Sequence, residues 1–465
     1  MVSIPELYSI YRQHPVVCTD TRQLTPGCLF FALKGGNFDG NKFARQALDQ
    51  GAAYAVIDNR DFKTDNRCLL VADVLKALQK LATHHRNHFD IPVIAIGGSN
   101  GKTTTKELVS NVLAAHYPCH FTKGNFNNHI GVPLTLLSMP DDTEVAVIEM
   151  GTNQPGDIDE LCHIARPTHG LLTNIGKEHL EGFGSLEGVK KAEAELYHYL
   201  ARHRGCIFVN YSEKYLGAMT RRNHRKIGYA RTETLPLNLA SRPLTGTNEA
   251  IITIGVMLTG ESPFIRAAFV SDESGSVVEA QTQLIGRHNF NNIMTAVALG
   301  IYFKVPAEKI KSALESYVPA NNRSQLLHLG SNTIFLDAYN ANPSSMKPAL
   351  ESLAAMPGER KVAILGDMLE LGEESRKEHE AIARFAARQK PDVLALVGPE
   401  FGHTQFKKHG ALHFPDTAAV KQWFQEQKFE NCLILIKGSR GMRLEEVIKS
   451  GSGGAQKVDK VDKGL

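Results

Sequence analysis

Residues 92–115, PVIAIGGSNGKTTTKELVSNVLAA, join a short apolar run, a glycine-rich turn and an amphipathic stretch without a break. An apolar run with no polar alternation reads as a strand buried on both faces, and such strands belong to parallel sheets covered by helices. The stretch after it carries Leu108, Val109, Val112 and Leu113 near one helical face. A helix that starts on a glycine turn presents free backbone N–H groups, which favour an anion. Gly98, Ser99, Asn100, Gly101, Lys102, Thr103 and Thr104 are therefore expected to cradle nucleotide phosphates. In that motif Lys102 reaches the terminal phosphates and the Thr103 hydroxyl sits on magnesium. The spacing departs from the standard phosphate loop, since Ile96 stands where its first glycine would be and the loop is one residue shorter. An ordinary glycine turn between strand and helix is the alternative reading.

The chain has 465 residues, enough for about three domains. Before residue 90, CLFFAL, AAYAVI and CLLVADV alternate with helical patterns at 41–50 and 74–88, giving a small α/β unit over 1–90. Asp90-Ile91-Pro92 marks the first boundary. From 91 to 318 the runs VIAI, VAVIEM, GLLTNI and CIFV alternate with helices. Between 225 and 285, AIITIGVML and FIRAAFV suggest an antiparallel appendage to that sheet, before helices at about 290–303 and 306–316. Residues 319–452 repeat strand and helix through NTIFLDAY, KVAILGDM, VLALVG and CLILIKGS, a Rossmann-like pattern. The last stretch, 453–465, has no apolar periodicity and is expected to be disordered. The fold class is α/β: a small N-terminal domain, a central P-loop-type parallel sheet with antiparallel strands appended, and a C-terminal Rossmann-like domain.

Lys and Arg number 52 against 49 Asp and Glu, so no broad field favours nucleic acid. With 42% hydrophobic and 22% charged residues the chain is neither disordered nor membrane-embedded in type. Seven scattered cysteines without a C-x-x-C pair read as reduced thiols, and the N-terminus has no leader pattern. A cytoplasmic protein without membrane insertion, and a monomer, is expected. His84 and His88 are four apart on a helix, but no third ligand stands nearby, so they read as a solvated helix end.

The shortened loop GGSNGKTT resembles the ATP loop of the Mur ligase superfamily, to which folylpolyglutamate synthase belongs. Further segments match in order along almost the whole chain: TDTRQLTPGCLFFALKGGNFDG (19–40), KGNFNNHIGVPLTLL (123–137), EMGTNQPGDI (149–158), TNIGKEHLEGFGS (173–185), GRHNFNNIMTA (286–296), DAYNANPSSM (337–346), ILGDMLELG (364–372) and IKGSRGMRLEEV (436–447). DAYNANPSSM together with NFNNHIGVPLTLL resembles the branch that acts on D-Ala-D-Ala. The resemblance implies an ATP-dependent ligase that joins D-Ala-D-Ala to a UDP-N-acetylmuramoyl-tripeptide and releases ADP and phosphate. It also implies ATP and two magnesium ions as cofactors.

Amide formation from a carboxylate needs activation, and γ-phosphoryl transfer supplies it as an acyl phosphate that the amine attacks. Two anions must then approach, so Lys102, magnesium and an arginine are needed to offset their repulsion. Glu149 follows VAVI at a strand's carboxyl end, where an oxygen ligand for magnesium or a helix-capping carboxylate is expected; the resemblance makes it a metal ligand. By resemblance His179 holds a second magnesium, although by itself it reads as a loop histidine. Arg323 resembles the arginine brought to the γ-phosphate from the third domain. Asn289 resembles an adenine contact, or caps a helix. Asp337, with Tyr339, Asn340 and Asn342, is expected to contact the nucleotide across the same cleft.

Thr21, Arg22, Lys34, Gly35, Asp39 and Gly40 match the family's uridine-binding region, with Asn41 where many relatives carry histidine. Asn127 and Asn128 match residues that hold the UDP-muramoyl substrate, and otherwise read as an asparagine-rich turn. In EGVKKAEAELY, Glu193 occupies the place of a lysine that relatives carbamylate to help hold the second magnesium. Glu193 is expected to replace that group as a catalytic metal ligand, directly or through water, with Lys190 as the competing candidate and a purely structural Glu193 as the third. Two rival functions stay open: a sister ligase adding another amino acid to a UDP-muramoyl or folate-like acceptor, and a nucleotide-regulated binding module.

Overall fold

The computed structural model describes residues 1–235, 252–270, 275–449 and 458–460. Three principal sheets occupy successive stretches of the chain. The first is parallel, in the order Val17–Cys18, Leu29–Phe31, Tyr54–Ile57, Cys68–Leu70. Successive strand residues point to opposite faces. Leu29, Phe31 and Val56 accordingly meet the helices Ile4–Gln13 and Val74–Arg86 through Leu7, Leu78 and Leu81, while Phe30, Ala55 and Ile57 join Ala47 and Leu48 of the helix Ala44–Asp49. The histidines at the end of Val74–Arg86 pack on Tyr8, whose ring lies 4.6 Å from that of His84 and 4.7 Å from that of His88.

The central sheet runs Cys119–Phe121, Val145–Glu149, Val93–Gly97, His169–Leu172, Cys206–Asn210, Arg225–Thr232, Ile252–Gly260, Arg266–Val270, Val277–Gln281. The strand that feeds the glycine turn is thus interior, with parallel neighbours on both sides. Ile94, Ile96 and Val147 face Leu108, Val112, Ile293 and Val297 of the helices Lys102–Ala114 and Asn289–Tyr302. Ala95, Ile148 and Leu172 face the helices Asp157–Ala165 and Leu186–Arg202. The antiparallel appendage expected over 225–285 is smaller than the sequence suggests: Arg225–Thr232 and Ile252–Gly260 extend the parallel sheet, and antiparallel pairing starts only at Arg266–Val270. A short apolar run shows that a strand is buried but does not fix the neighbour or the direction of its pairing, which explains the difference.

The third sheet runs Leu412–Phe414, Val393–Val397, Arg360–Gly366, Cys432–Lys437, Asn332–Asp337 in parallel, then Gln325–Leu329 and Val458–Lys460 antiparallel. Residues 458–460 of the stretch read as a tail therefore carry backbone pairing, which an edge strand offers to any extended segment. The remainder of 453–465 lies outside the described residues.

The first and central sheets are tied by Tyr11 donating to the Leu137 carbonyl at 2.5 Å, Arg12 paired with Asp141 at 2.8 Å, and Thr83 donating to the Ile164 carbonyl at 3.2 Å. Among the described residues no helix is long and apolar enough to cross a membrane.

Candidate active site

The carboxyl end of Val93–Gly97 opens into the turn 98–101, and the helix starts at Lys102. Gly98 and Gly101 have φ of +108° and +80°, where a side chain is strained. A Cβ would also lie 2.6 Å from the Thr173 nitrogen at Gly98 and 2.7 Å from Asn292 Oδ1 at Gly101. The two glycines let the turn sit close against its neighbours. Asn100 N–H is held by Asn174 Oδ1 at 3.0 Å, and Ser99 N–H by the Asn174 carbonyl at 2.9 Å.

Lys102 Nζ folds back on the Gly98 carbonyl and lies 3.7 Å from Glu178 Oε2. Burial works against its charge, but Glu178, Glu193 and Glu149 outweigh that and raise its pKa, so it stays a cation. Thr103 Oγ1 donates to Glu149 Oε1 at 3.0 Å, and Asn127 Nδ2 donates to the same oxygen at 2.8 Å. Glu149 Oε2 is buried without a hydrogen-bond partner, 4.0 Å from Lys106 Nζ. A buried carboxylate oxygen left open beside a threonine hydroxyl at a phosphate loop fits a hard divalent cation. Among the described residues no three His, Cys, Asp or Glu side chains group to hold a metal alone. Magnesium needs only one or two protein carboxylates besides phosphate oxygens and water.

These residues open on a cleft of about 790 Å³. Its walls bring together Ser99 to Thr104, Asn127, Asn128, Glu149 and His179 with Asn289, Arg323, Asp337, Tyr339 and Asn340. Arg323 lies in a run of left-handed residues, Asn321, Asn322 and Ser324, and its guanidinium stacks 3.7 Å over the Tyr339 ring with Nε unpartnered. Asp337 accepts from Ser324 N–H at 3.0 Å and pairs with Lys437 Nζ at 2.5 Å. Burial lifts the Asp337 pKa, but Lys437 outweighs it and leaves it below the ordinary aspartate value. Asn342 caps the helix Pro343–Ala355 through its oxygen, while its nitrogen donates to Asn100 Oδ1 at 2.9 Å.

Some expected residues sit elsewhere. Glu193 is 0% exposed on the helix Leu186–Arg202, and its Oε2 accepts Gly98 N–H at 2.7 Å from behind the loop. Burial first, then Glu178, pushes its pKa up to about 7, against the pull of Lys102 and the Gly98 N–H. The expectation placed Glu193 on a metal in the cleft, directly or through water; Glu193 does not line the cleft, whereas Glu178 does, with its Oε1 buried and unpartnered. Sequence reading passed over Glu178 although it immediately precedes His179. Lys190 is turned away, 3.3 Å from Glu187 and over the Tyr215 ring at 4.2 Å.

Asn289 lines the cleft, yet its amide is engaged within the protein: Nδ2 donates to the Ile285 carbonyl at 2.7 Å and Oδ1 accepts from Asn292 at 2.9 Å. Its neighbour His288 keeps an unpartnered Nδ1, and burial pulls its pKa down to about 4. Lys437, missed from sequence, is a polar residue ending an otherwise apolar strand, and that is the signal that could have found it.

Thr21, Arg22, Lys34, Gly35, Asp39 and Gly40 do not line the cleft; they cluster about the first sheet. Arg22 pairs with Asp20 at 2.7 Å and Lys34 with Asp58 at 2.8 Å. Asn41 is buried and fully used, donating to Asp39 at 2.7 Å and Asp58 at 2.8 Å and accepting Asp58 N–H at 3.1 Å.

A three-sheet chain with a shortened phosphate loop facing an arginine and an aspartate from a separate Rossmann-like sheet defines a nucleotide-dependent enzyme of the amide-ligase class. Three family models match in chain order: the Mur ligase family catalytic domain over residues 15–86, the Mur ligase middle domain over 96–300, and the Mur ligase glutamate ligase domain over 322–440. The chain belongs to the Mur ligase family. It is 35% identical to the UDP-N-acetylmuramoyl-tripeptide–D-alanyl-D-alanine ligase of Bacillus subtilis (strain 168), over 93% of this chain and 92% of that protein. It is 36% identical to the enzyme of the same name from Escherichia coli (strain K12), over 93% of each. Among solved structures it resembles MurF from Acinetobacter baumannii, with TM-score 0.79, 28% identity and coverage of 93% of this chain and 92% of that one. It also resembles the MurF ligase from Thermotoga maritima in complex with ADP, with TM-score 0.78, 25% identity and coverage of 93% and 96%.

Proposed function

We propose that this chain is an ATP-dependent, ADP-forming ligase that adds D-Ala-D-Ala to UDP-N-acetylmuramoyl-tripeptide, yielding the UDP-pentapeptide precursor of peptidoglycan. The observation that carries the reading is the single cleft in which Lys102, Thr103 and Glu149 face Arg323 and Asp337 from the third sheet. The end-to-end likeness to relatives bearing that name supports the substrate. The work divides among residues 1–90 for the UDP moiety, 91–318 for ATP, and 319–452 for closing over the nucleotide.

Within this reading the turn Gly98–Gly101 places the backbone N–H groups that start the helix Lys102–Ala114 at the β- and γ-phosphates. Lys102 swings from the Gly98 carbonyl to the γ-phosphate, and Arg323 meets it from the opposite wall. Both cations offset the repulsion between the phosphate and the tripeptide carboxylate, and they stabilise the charge that builds as the phosphoryl group transfers. Magnesium, held by Thr103 and Glu149 with a second ion on His179, supplies charge neutralisation at the phosphate oxygens. Glu193 fixes the Gly98 N–H and so holds the loop. Asn127 and Asn128 orient the UDP-muramoyl substrate, and Asp337 and Asn340 contact the nucleotide, while Asn289 lines the same wall with its amide held by Ile285 and Asn292. Thr21, Arg22, Lys34, Gly35, Asp39 and Gly40 take the UDP end. The D-Ala-D-Ala amine then attacks the acyl phosphate, forming the amide and releasing phosphate.

The test is ADP release and product mass with UDP-tripeptide, with and without D-Ala-D-Ala and with single amino acids in its place. Release that requires D-Ala-D-Ala, with a product heavier by that dipeptide less water, is expected. An amide formed only with another amino acid points to a sister ligase, and slow ATP hydrolysis without any amide points to a binding module.

A further inference from the structure

The segment 176–181 carries Glu178 and His179 to the cleft wall, and residues of the third unit grip it at several points. Lys177 N–H donates to Ser344 Oγ at 2.9 Å, and Lys177 Nζ pairs with Glu378 Oε1 at 2.5 Å. Glu181 N–H donates to the Glu370 carbonyl at 3.3 Å. His179 Nδ1 meets the Glu370 carboxylate. Both partners of this last contact are left-handed, with φ of +44° at His179 and +64° at Glu370. Residues other than glycine hold that conformation only where their surroundings over-determine it.

The surroundings on the Glu370 side are well fixed. Its loop follows the strand Arg360–Gly366, and Met368 N–H donates to the buried His379 Nε2 at 3.0 Å. Leu369 N–H donates to Ser439 Oγ at 2.9 Å. The loop is therefore pinned within its own sheet, and Glu370 projects from it across the boundary.

A carboxylate on one ring nitrogen of histidine settles the tautomer, because the proton stays where the carboxylate accepts it. With the proton on Nδ1, the lone pair of Nε2 is the one left to ligate a metal. We propose that Glu370 is a positioning residue of the phosphoryl-transfer site: docking of the third unit places its carboxylate on His179 Nδ1 and frees Nε2 for the second divalent ion. The inference rests on the reading of His179 as a metal ligand given above. It makes that ion's site a joint product of two units, whereas the Thr103 and Glu149 site lies within one. ATP held without the third unit in place then lacks its second ion, which couples closure to readiness for transfer.

The test replaces magnesium with manganese and counts bound ions by electron paramagnetic resonance, using the full chain with a non-hydrolysable ATP analogue. Two ions are expected in the wild type and one in His179→Ala. Glu370→Ala should weaken the second ion about 10- to 100-fold and leave the first unchanged, as loss of an outer partner of a metal-bound histidine does. Glu370→Gln, which keeps an acceptor oxygen, should recover part of that affinity. Glu370 is 57% exposed, so these changes leave the core untouched. In turnover, Glu370→Ala should need more magnesium for half-maximal kcat with KM for D-Ala-D-Ala unchanged. If His179→Ala loses the second ion while Glu370→Ala binds it like the wild type, the positioning role is wrong. If His179→Ala still binds both ions, the ligand reading of His179 falls, and the inference falls with it.

Discussion

Lys437→Met should destabilise the carboxyl end of the third sheet by about 3–5 kcal/mol near pH 7, the range for removing one partner of a buried ion pair. The Lys437 side chain is 2% exposed and that of Asp337 16%, and they are direct partners in neighbouring parallel strands. Nζ lies 2.5 Å from Asp337 Oδ2 and 3.1 Å from the Asn340 carbonyl. Methionine keeps most of the stem's volume, so the loss is that of charge and hydrogen bonds rather than of packing. Asp337 would retain Ser324 N–H at 3.0 Å as its remaining hydrogen bond and would be a desolvated, unpaired anion. The pH dependence has a definite sign. In the wild type the folded pKa of Asp337 lies below the ordinary aspartate value, so the pair's contribution is complete above that ordinary value and is lost as pH falls through the folded one. In the variant, burial loses its main opponent, Lys437, and against the weaker pull of the Ser324 N–H and His288 raises that pKa, so stability is lost as pH rises above the ordinary aspartate value. The gap between the two proteins should be widest near neutrality and close in acid. Hydrogen exchange of the amides in Asn332–Asp337 and Cys432–Lys437 reads this unit without assuming that the whole chain unfolds in one step. Adding Asp337→Leu to Lys437→Met should restore most of the loss, since an apolar pair of similar volume replaces a buried ion pair at little cost. A single-variant loss under about 1 kcal/mol, or a double variant no more stable than the single, would refute the reasoning.

Lys102→Ala should keep the wild-type circular dichroism and lower ADP release by at least about 10³-fold, because the γ-phosphate loses its loop cation in the transition state; a folded variant that turns over at a substantial rate removes the phosphate-loop assignment. Glu193→Ala should raise KM for ATP at least about 10-fold by releasing the Gly98 N–H, while Glu193→Gln, which still accepts that bond, stays near wild type and removing bicarbonate changes neither. Loss of ligation on removing bicarbonate, or on Lys190→Arg with Glu193→Ala near normal, would instead assign a modified lysine.

What was legible in the chain is what local geometry encodes. The unbroken apolar runs VIAI, VAVI and CLILI mark the strands, and the helix expected at about 306–316 is found as Ala307–Ser316. Gly98 and Gly101 mark the turn because only glycine takes its positive φ there without strain. Asn342, expected only at the nucleotide cleft, caps the helix Pro343–Ala355, a role that Asn followed by Pro could have signalled. Direction of pairing was not legible over 225–260, since an apolar run shows how far a strand is buried and not which neighbour it pairs with.

The sequence by itself determined the phosphate loop, the succession of α/β units and the family, because these rest on contacts between residues a few positions apart or on ordered motifs. Only the tertiary structure decided which carboxylate faces the cleft. Glu178 and Glu193 both lie near Lys102, but one caps the loop from behind while the other stands at the wall. It also turned the Asn289 amide inward, set Lys437 on Asp337 and brought Glu370 to His179. Each of these depends on where a side chain points after distant elements have packed, and burial then fixes whether its charge is matched or left open.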